Sequence, residues 1–120
     1  MNEKDIDTLK SYGVNWEEGV ERLMGDEGFY LHMLGRYAQN ANFDQLKDAM
    51  ERRNPEAAYQ ACHALKGISG NLSLDDLHQT ATKACALLRE GNLEEARAYM
   101  PRLEEFHLMA RDAAQLANSQ

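Results

Sequence analysis

The sequence predicts an all-α protein, an antiparallel up-down helical bundle, on three observations. Apolar residues recur every three or four positions along most of the 120 residues. Capping residues stand where helices would begin. No stretch alternates as a strand does, and the chain holds only two prolines and eight glycines to interrupt a helix. Short connections between long amphipathic helices favour antiparallel neighbours. No repeat, low-complexity segment or boundary divides the chain, so residues 1–120 read as one domain.

The elements follow in order. Asn15 with Glu18 has the spacing of a capping box or its close variants, and Asp26 is a further cap. Phe29, Tyr30, Met33, Leu34 and Tyr37 line the helix that follows Asp26. Asn42 with Gln45 opens a short helix lined by Phe43, Leu46 and Met50. Asn54 stands directly before Pro55, a favoured pairing of cap and first helical residue. Ser73 with Asp76 opens a helix lined by Leu74, Leu77, Ala81, Ala84 and Leu88, and Gly91 stands where that helix would end in the left-handed conformation. Asn92 with Glu95 begins the last pattern, which runs from Leu93 through Ala96, Met100, Leu103, Phe106, Ala110 and Ala113 to Leu116. Pro101 should kink or split it, because it removes a hydrogen bond and clashes one turn back.

Composition narrows the function. Hydrophobic residues at 43% and charged residues at 28% are ordinary for a soluble globular protein. A net charge of -7 leaves no basic stripe for nucleic acid. No segment approaches the roughly 20 apolar residues that span a bilayer, and Met1-Asn2-Glu3-Lys4-Asp5-Ile6 is no signal peptide. Cys62 and Cys85, both in helical patterns, read as reduced core thiols, so the expected location is the cytoplasm. Met1 fits a free-standing protein, and the absence of a leftover heptad seam favours a monomer.

The chemistry gathers between Pro55 and Leu72. At about 100° per residue, Ala58, Cys62, Leu65, Ser69 and Leu72 form one narrow stripe that should face the core. His63, Gly67 and Gly70 fall together on the outward side, with Lys66 at the border and Tyr59 one turn before the histidine. A helix-interior glycine costs roughly 1 kcal/mol relative to alanine, so two of them one turn apart need a reason. Access supplies it: without side chains, Gly67 and Gly70 let another protein approach the imidazole closely. Imidazole is mostly the uncharged nucleophile at neutral pH, and a ring nitrogen can hold a phosphoryl group as a phosphoramidate. Phosphoryl transfer needs positioning and charge neutralisation, and Lys66 can supply charge as a flexible donor. Ile68 and Leu72 continue the apolar period, so the helix should run unbroken through Gly67.

The run His63-Ala64-Leu65-Lys66-Gly67, followed by Ser69, Gly70, Asn71, Leu72 and later Leu77, resembles the signature of histidine-containing phosphotransfer (HPt) domains. The helical region around Trp16 to Tyr37 and the two helices after the histidine helix extend the resemblance over nearly the whole chain. It implies an antiparallel up-down four-helix bundle, here with an additional short N-terminal helix. It implies a carrier that relays a phosphoryl group between receiver-domain aspartates in a two-component phosphorelay. His63 would be the phosphorylated residue, Lys66 the side chain assisting the phosphate, and Gly67 and Gly70 the docking positions. The partners implied are response-regulator receiver domains and a hybrid histidine kinase, with Mg²⁺ on the receiver and no cofactor or nucleotide site on this chain. One departure stands out: the family usually has glycine after the leucine at position 72, where Ser73 would act as the N-cap of the next helix.

Other readings attach to other residues. The same bundle could bind a receiver or kinase without carrying phosphate, although a binder has no need of a nucleophile. Glu104 and His107 form a Glu-x-x-His pair, as in di-iron bundles, but Asp75 with His78 is a short second pair and no inward glutamates complete a metal site. His32 and His78 read as solvated or partly packed, Trp16 and Phe29 as core, and the paired acids such as Glu17-Glu18 as solvated faces. Arg89 would touch the phosphate only if its helix put it level with His63. The pattern does not set that register, and Arg89 stays outside the predicted site.

Overall fold

A computed structural model describes residues 1–120. It is all-α: α1 (Glu3–Ser11), α2 (Trp16–Arg22), α3 (Glu27–Gly35), a 3₁₀ turn (Arg36–Gln39), α4 (Asn42–Glu51), α5 (Pro55–Asn71), α6 (Asp75–Arg89), α7 (Leu93–Arg97) and α8 (Met100–Asn118). These build four rods. The first is α3 continued through the 3₁₀ turn into α4, the second α5, the third α6, and the fourth α7 with α8. The packing closes a ring: α4 lies on α5, α5 on α6, α6 on α7 and α8, and α8 back on α3 and the 3₁₀ turn. Gly35 lies beside Asn118, Phe43 stacks on His107 and Lys47 reaches Glu104, so partners descend α8 as they climb the first rod. Cys62 opposite Ala81 and Lys66 opposite His78 give α5 and α6 the same antiparallel sense. The expected bundle is therefore observed, with α1 and α2 added at its N-terminal side.

Most of the expected caps form. The side chains of Asn15, Asp26, Asn54 and Asn92 each accept from the backbone N–H three residues on, at 3.3, 3.0, 3.1 and 3.2 Å. Asn2, which the sequence reading passed over, caps α1 in the same way, accepting from Asp5 at 2.8 Å. Gly91 takes a φ of +77° at the end of α6. Pro101 splits the last pattern into α7 and α8, standing in the first turn of the second piece.

Three expectations are corrected. Asn42 is not a cap but the first helical residue of α4; its N–H donates to the Asn40 side chain at 2.9 Å, because the chain leaves the 3₁₀ turn extended at Asn40. Ser73 does not cap α6 either. It ends α5 with a left-handed φ of +55°, while its N–H reaches the Gly70 carbonyl at 3.2 Å and that of Leu74 reaches Ser69 at 3.0 Å. A three-residue reversal between antiparallel helices requires that conformation. This is a physical reason for glycine to be usual there and for serine to be strained. Phe29 is not core: it is 48% exposed, because the inward stripe of α3 runs through Tyr30 and Leu34, one residue round the helix. Trp16 is core and packs edge-on against Tyr30, with ring centroids 5.7 Å apart.

The buried apolar residues form one continuous cluster drawn from all four rods. The α1–α2 connection is tied into the bundle where Asn15 N–H donates to the Ser73 carbonyl at 3.0 Å, and Tyr30 Oη of α3 donates to the adjacent Leu72 carbonyl at 2.6 Å. The turn that ends α5 is thereby fixed by contacts from α3 and from the loop before α2. No helix is long and apolar enough to cross a membrane.

Candidate functional site

The histidine helix folds as its pattern dictates. Asn54 caps it, Pro55 starts it, and Ala58, Cys62, Leu65, Ser69 and Leu72 are all buried. α5 continues without a break through Gly67 and Gly70 to Asn71. His63 lies exposed on the opposite face, and its ring stacks at 26° over Tyr59, centroids 5.8 Å apart.

Two shallow depressions meet at His63 and Lys66. The first, about 310 Å³, lies toward the end of α5 and is also lined by Arg22, Gly67, Gly70 and His78. The second, about 570 Å³, lies toward α6 and is also lined by Tyr59, Cys85 and Arg89. Both are open, and the first has no apolar wall, so neither encloses a small molecule. They suit a charged group presented by another protein. A roomier groove of about 920 Å³ between α6 and α7–α8 contains none of the predicted residues.

The helix register brings in two cations that the pattern alone did not place. Arg89 of α6 lines the second depression with His63, although the register of Cys62 on Ala81 and Lys66 on His78 sets its backbone about two turns nearer the start of α5. Arg22 of α2 lines the first, held by the Glu18 carboxylate and the Gly70 carbonyl, each 2.9 Å away. Lys66 and Arg89 make no ion pair of their own, and Glu90 lines the second depression beside them. On a protein of net charge -7, Arg22, Lys66 and Arg89 bring three cations to the two depressions that meet at His63, with Arg22 paired to Glu18.

The two glycines differ. A Cβ on Gly67 would meet nothing within 4 Å, so that position is open to solvent and to a partner. A Cβ on Gly70 would stand 3.0 Å from two atoms of the His78 ring. Gly70 lines the depression, but the room left by its missing side chain is already taken by His78.

Neither cysteine is poised as a nucleophile. Burial pushes the Cys62 thiol up to about 12, and burial also raises Cys85, so both stay protonated at neutral pH. Both thiols are free. The Glu104–His107 pair does not act as a unit: Glu104 reaches out to Lys47 at 3.4 Å, while His107 is buried. The His107 Nδ1 lies 2.7 Å from Tyr37 Oη, and its ring stacks on Phe43 at 4.6 Å. Asp75 is likewise taken by the Asn15 side chain at 2.9 Å.

Comparison with known families places this geometry. The family model for the Hpt domain matches residues 38–117, from the 3₁₀ turn to the last turn of α8. The match covers two thirds of the chain and includes His63, Lys66, Gly67, Gly70 and Arg89, while α1 to α3 lie outside it. No curated protein and no solved structure matches the chain. A four-rod bundle and a family match over most of its length lead to one conclusion: the chain belongs to the Hpt domain family, the phosphotransfer modules of two-component signalling.

Proposed function

We propose that this protein carries a phosphoryl group on His63 between the aspartates of response-regulator receiver domains. The observation that carries the reading is the position of His63: exposed, stacked on Tyr59, and at the meeting of two cation-lined depressions with Lys66 between them. A receiver docks over Gly67 with its phospho-aspartate and Mg²⁺ opposite His63. A ring nitrogen attacks phosphorus in line, the P–N bond forms, the acyl P–O bond breaks, and the aspartate carboxylate leaves with the electron pair. Transfer onward reverses these steps on a second receiver. Charge on the moving group is spread over its three outer oxygens. Lys66 steadies it from one side and Arg89 from the other. The chain supplies position and charge; the metal belongs to the receiver, and a hybrid histidine kinase is the upstream source. In this reading the protein works as a cytoplasmic monomer.

Incubation with a phosphorylated receiver tests the proposal. The wild type should gain an acid-labile phosphohistidine, and His63→Gln should gain none. Equal labelling of His63→Gln would refute it. Lys66→Ala and Arg89→Ala should each slow transfer while leaving the label on His63.

A further inference from the structure

The turn of α5 that carries Lys66 is fastened to α6 by a side chain. His78 Nδ1 lies 2.9 Å from the Lys66 carbonyl oxygen. A carbonyl can only accept, so Nδ1 holds the proton and donates. Gly70 leaves room for the approach, since a Cβ there would stand 3.0 Å from two ring atoms and the ring would have to give way by a few tenths of an ångström. His78 is itself braced, its own carbonyl accepting from the Thr82 hydroxyl at 2.7 Å. Its ring lines the same depression as His63 and Lys66.

The Lys66 carbonyl already accepts within its own helix, from the Ser69 hydroxyl at 3.1 Å. The His78 bond therefore rescues no orphaned group. It fixes the rotation and height of α5 against α6 at one turn, and that turn projects Lys66 toward His63. From the other side, Arg22 of α2 grips the next turn through the Gly70 carbonyl.

We propose that His78 is a positioning residue for phosphoryl transfer: its Nδ1–H bond to the Lys66 carbonyl, seated against Gly70, holds the turn from which Lys66 reaches the phosphoryl group. The proposal rests on the reading of His63 as the carrier.

A double-mutant cycle with a conservative rescue tests it. His78→Asn puts an amide N–H where Nδ1–H stands; His78→Leu fills the space without a donor; His78→Gln carries its N–H one bond too far. Single-turnover transfer from a saturating phosphorylated receiver is measured for each, with Lys66 present and in Lys66→Ala. With Lys66 present, His78→Leu and His78→Gln should be slowed about fivefold, the worth of one net hydrogen bond, and His78→Asn by less than about twofold. In Lys66→Ala the same changes should cost less than about twofold, because the residue being positioned is gone. Equal losses in both backgrounds, a wild-type rate for His78→Leu, or an Asn variant as slow as Gln would overturn the proposal. The Asn and Gln variants decide the matter alone should His78→Leu fail to fold. A wild type that accepts no phosphate overturns the His63 reading and this proposal with it; normal transfer with additive losses overturns this proposal alone.

Discussion

A methyl group added at Gly67 and one added at Gly70 should have opposite effects, although the two positions stand one turn apart in α5. At Gly67 the new Cβ would meet nothing within 4 Å. Gly67→Ala therefore keeps the whole helix-propensity gain, about 1 kcal/mol, and the melting temperature should rise by about 4 °C. At Gly70 the same gain is opposed twice. The Cβ would lie 3.0 Å from two His78 ring atoms, so the ring must shift by a few tenths of an ångström. Overpacking of that kind costs about 1–3 kcal/mol. The shift also lengthens the 2.9 Å bond to the Lys66 carbonyl, worth about 1 kcal/mol. Gly70→Ala should then lose about 1–3 kcal/mol net, separating the two variants by at least about 2 kcal/mol. Urea and thermal unfolding followed by helical circular dichroism measure both in one experiment. Equal stabilisation of the two variants would refute the reading of Gly70 as a seat for His78. Destabilisation by Gly67→Ala would refute the open face.

Ser73→Gly should stabilise the protein by about 1 kcal/mol in the same assay, because it releases a left-handed φ of +55°; the hydroxyl it removes reaches Glu18 only at 3.5 Å. Tyr37→Phe should cost about 1–3 kcal/mol by leaving the buried His107 Nδ1 without its partner at 2.7 Å. Burial holds the His107 imidazole below its ordinary value, outweighing the attraction of Asp44. The unfolded chain then takes up a proton near pH 6.5 while the folded chain stays neutral to lower pH, so this contribution is complete above about 6.5 and is lost on acidification below it. A stability profile from pH 7.5 to 5 should fall on the acid side, and His107→Phe should flatten that part of the fall. Gly67→Leu should block transfer from a phosphorylated receiver while the variant unfolds no earlier than the wild type; transfer at the normal rate would show that no partner closes over that face.

Much of the site is a property of one helix, and a helix's faces follow from residue spacing alone. The stripe from Ala58 to Leu72 is buried and His63 faces out because α5 is long, regular and capped at Asn54. The four-rod architecture was legible for the same reason, through caps, a proline break and apolar period. Phe29 shows how little room that logic leaves at a stripe's edge, since one residue of rotation turned it to solvent. Ser73 shows where local spacing misleads. A serine three residues before an aspartate has the form of a cap, but the reversal between α5 and α6 demanded a left-handed residue there.

Periodicity along the chain thus determined the helices, their faces and the exposed histidine with its lysine. It left undetermined how far each helix is shifted along its neighbour, because that register comes from side chains interlocking across the seams. Register let Arg89 share a depression with His63 and brought Arg22 from outside the family match to the same surface. It also drove His107 into the core against Tyr37 and laid His78 over Gly70, turning one of the two outward glycines from open space into a packed contact.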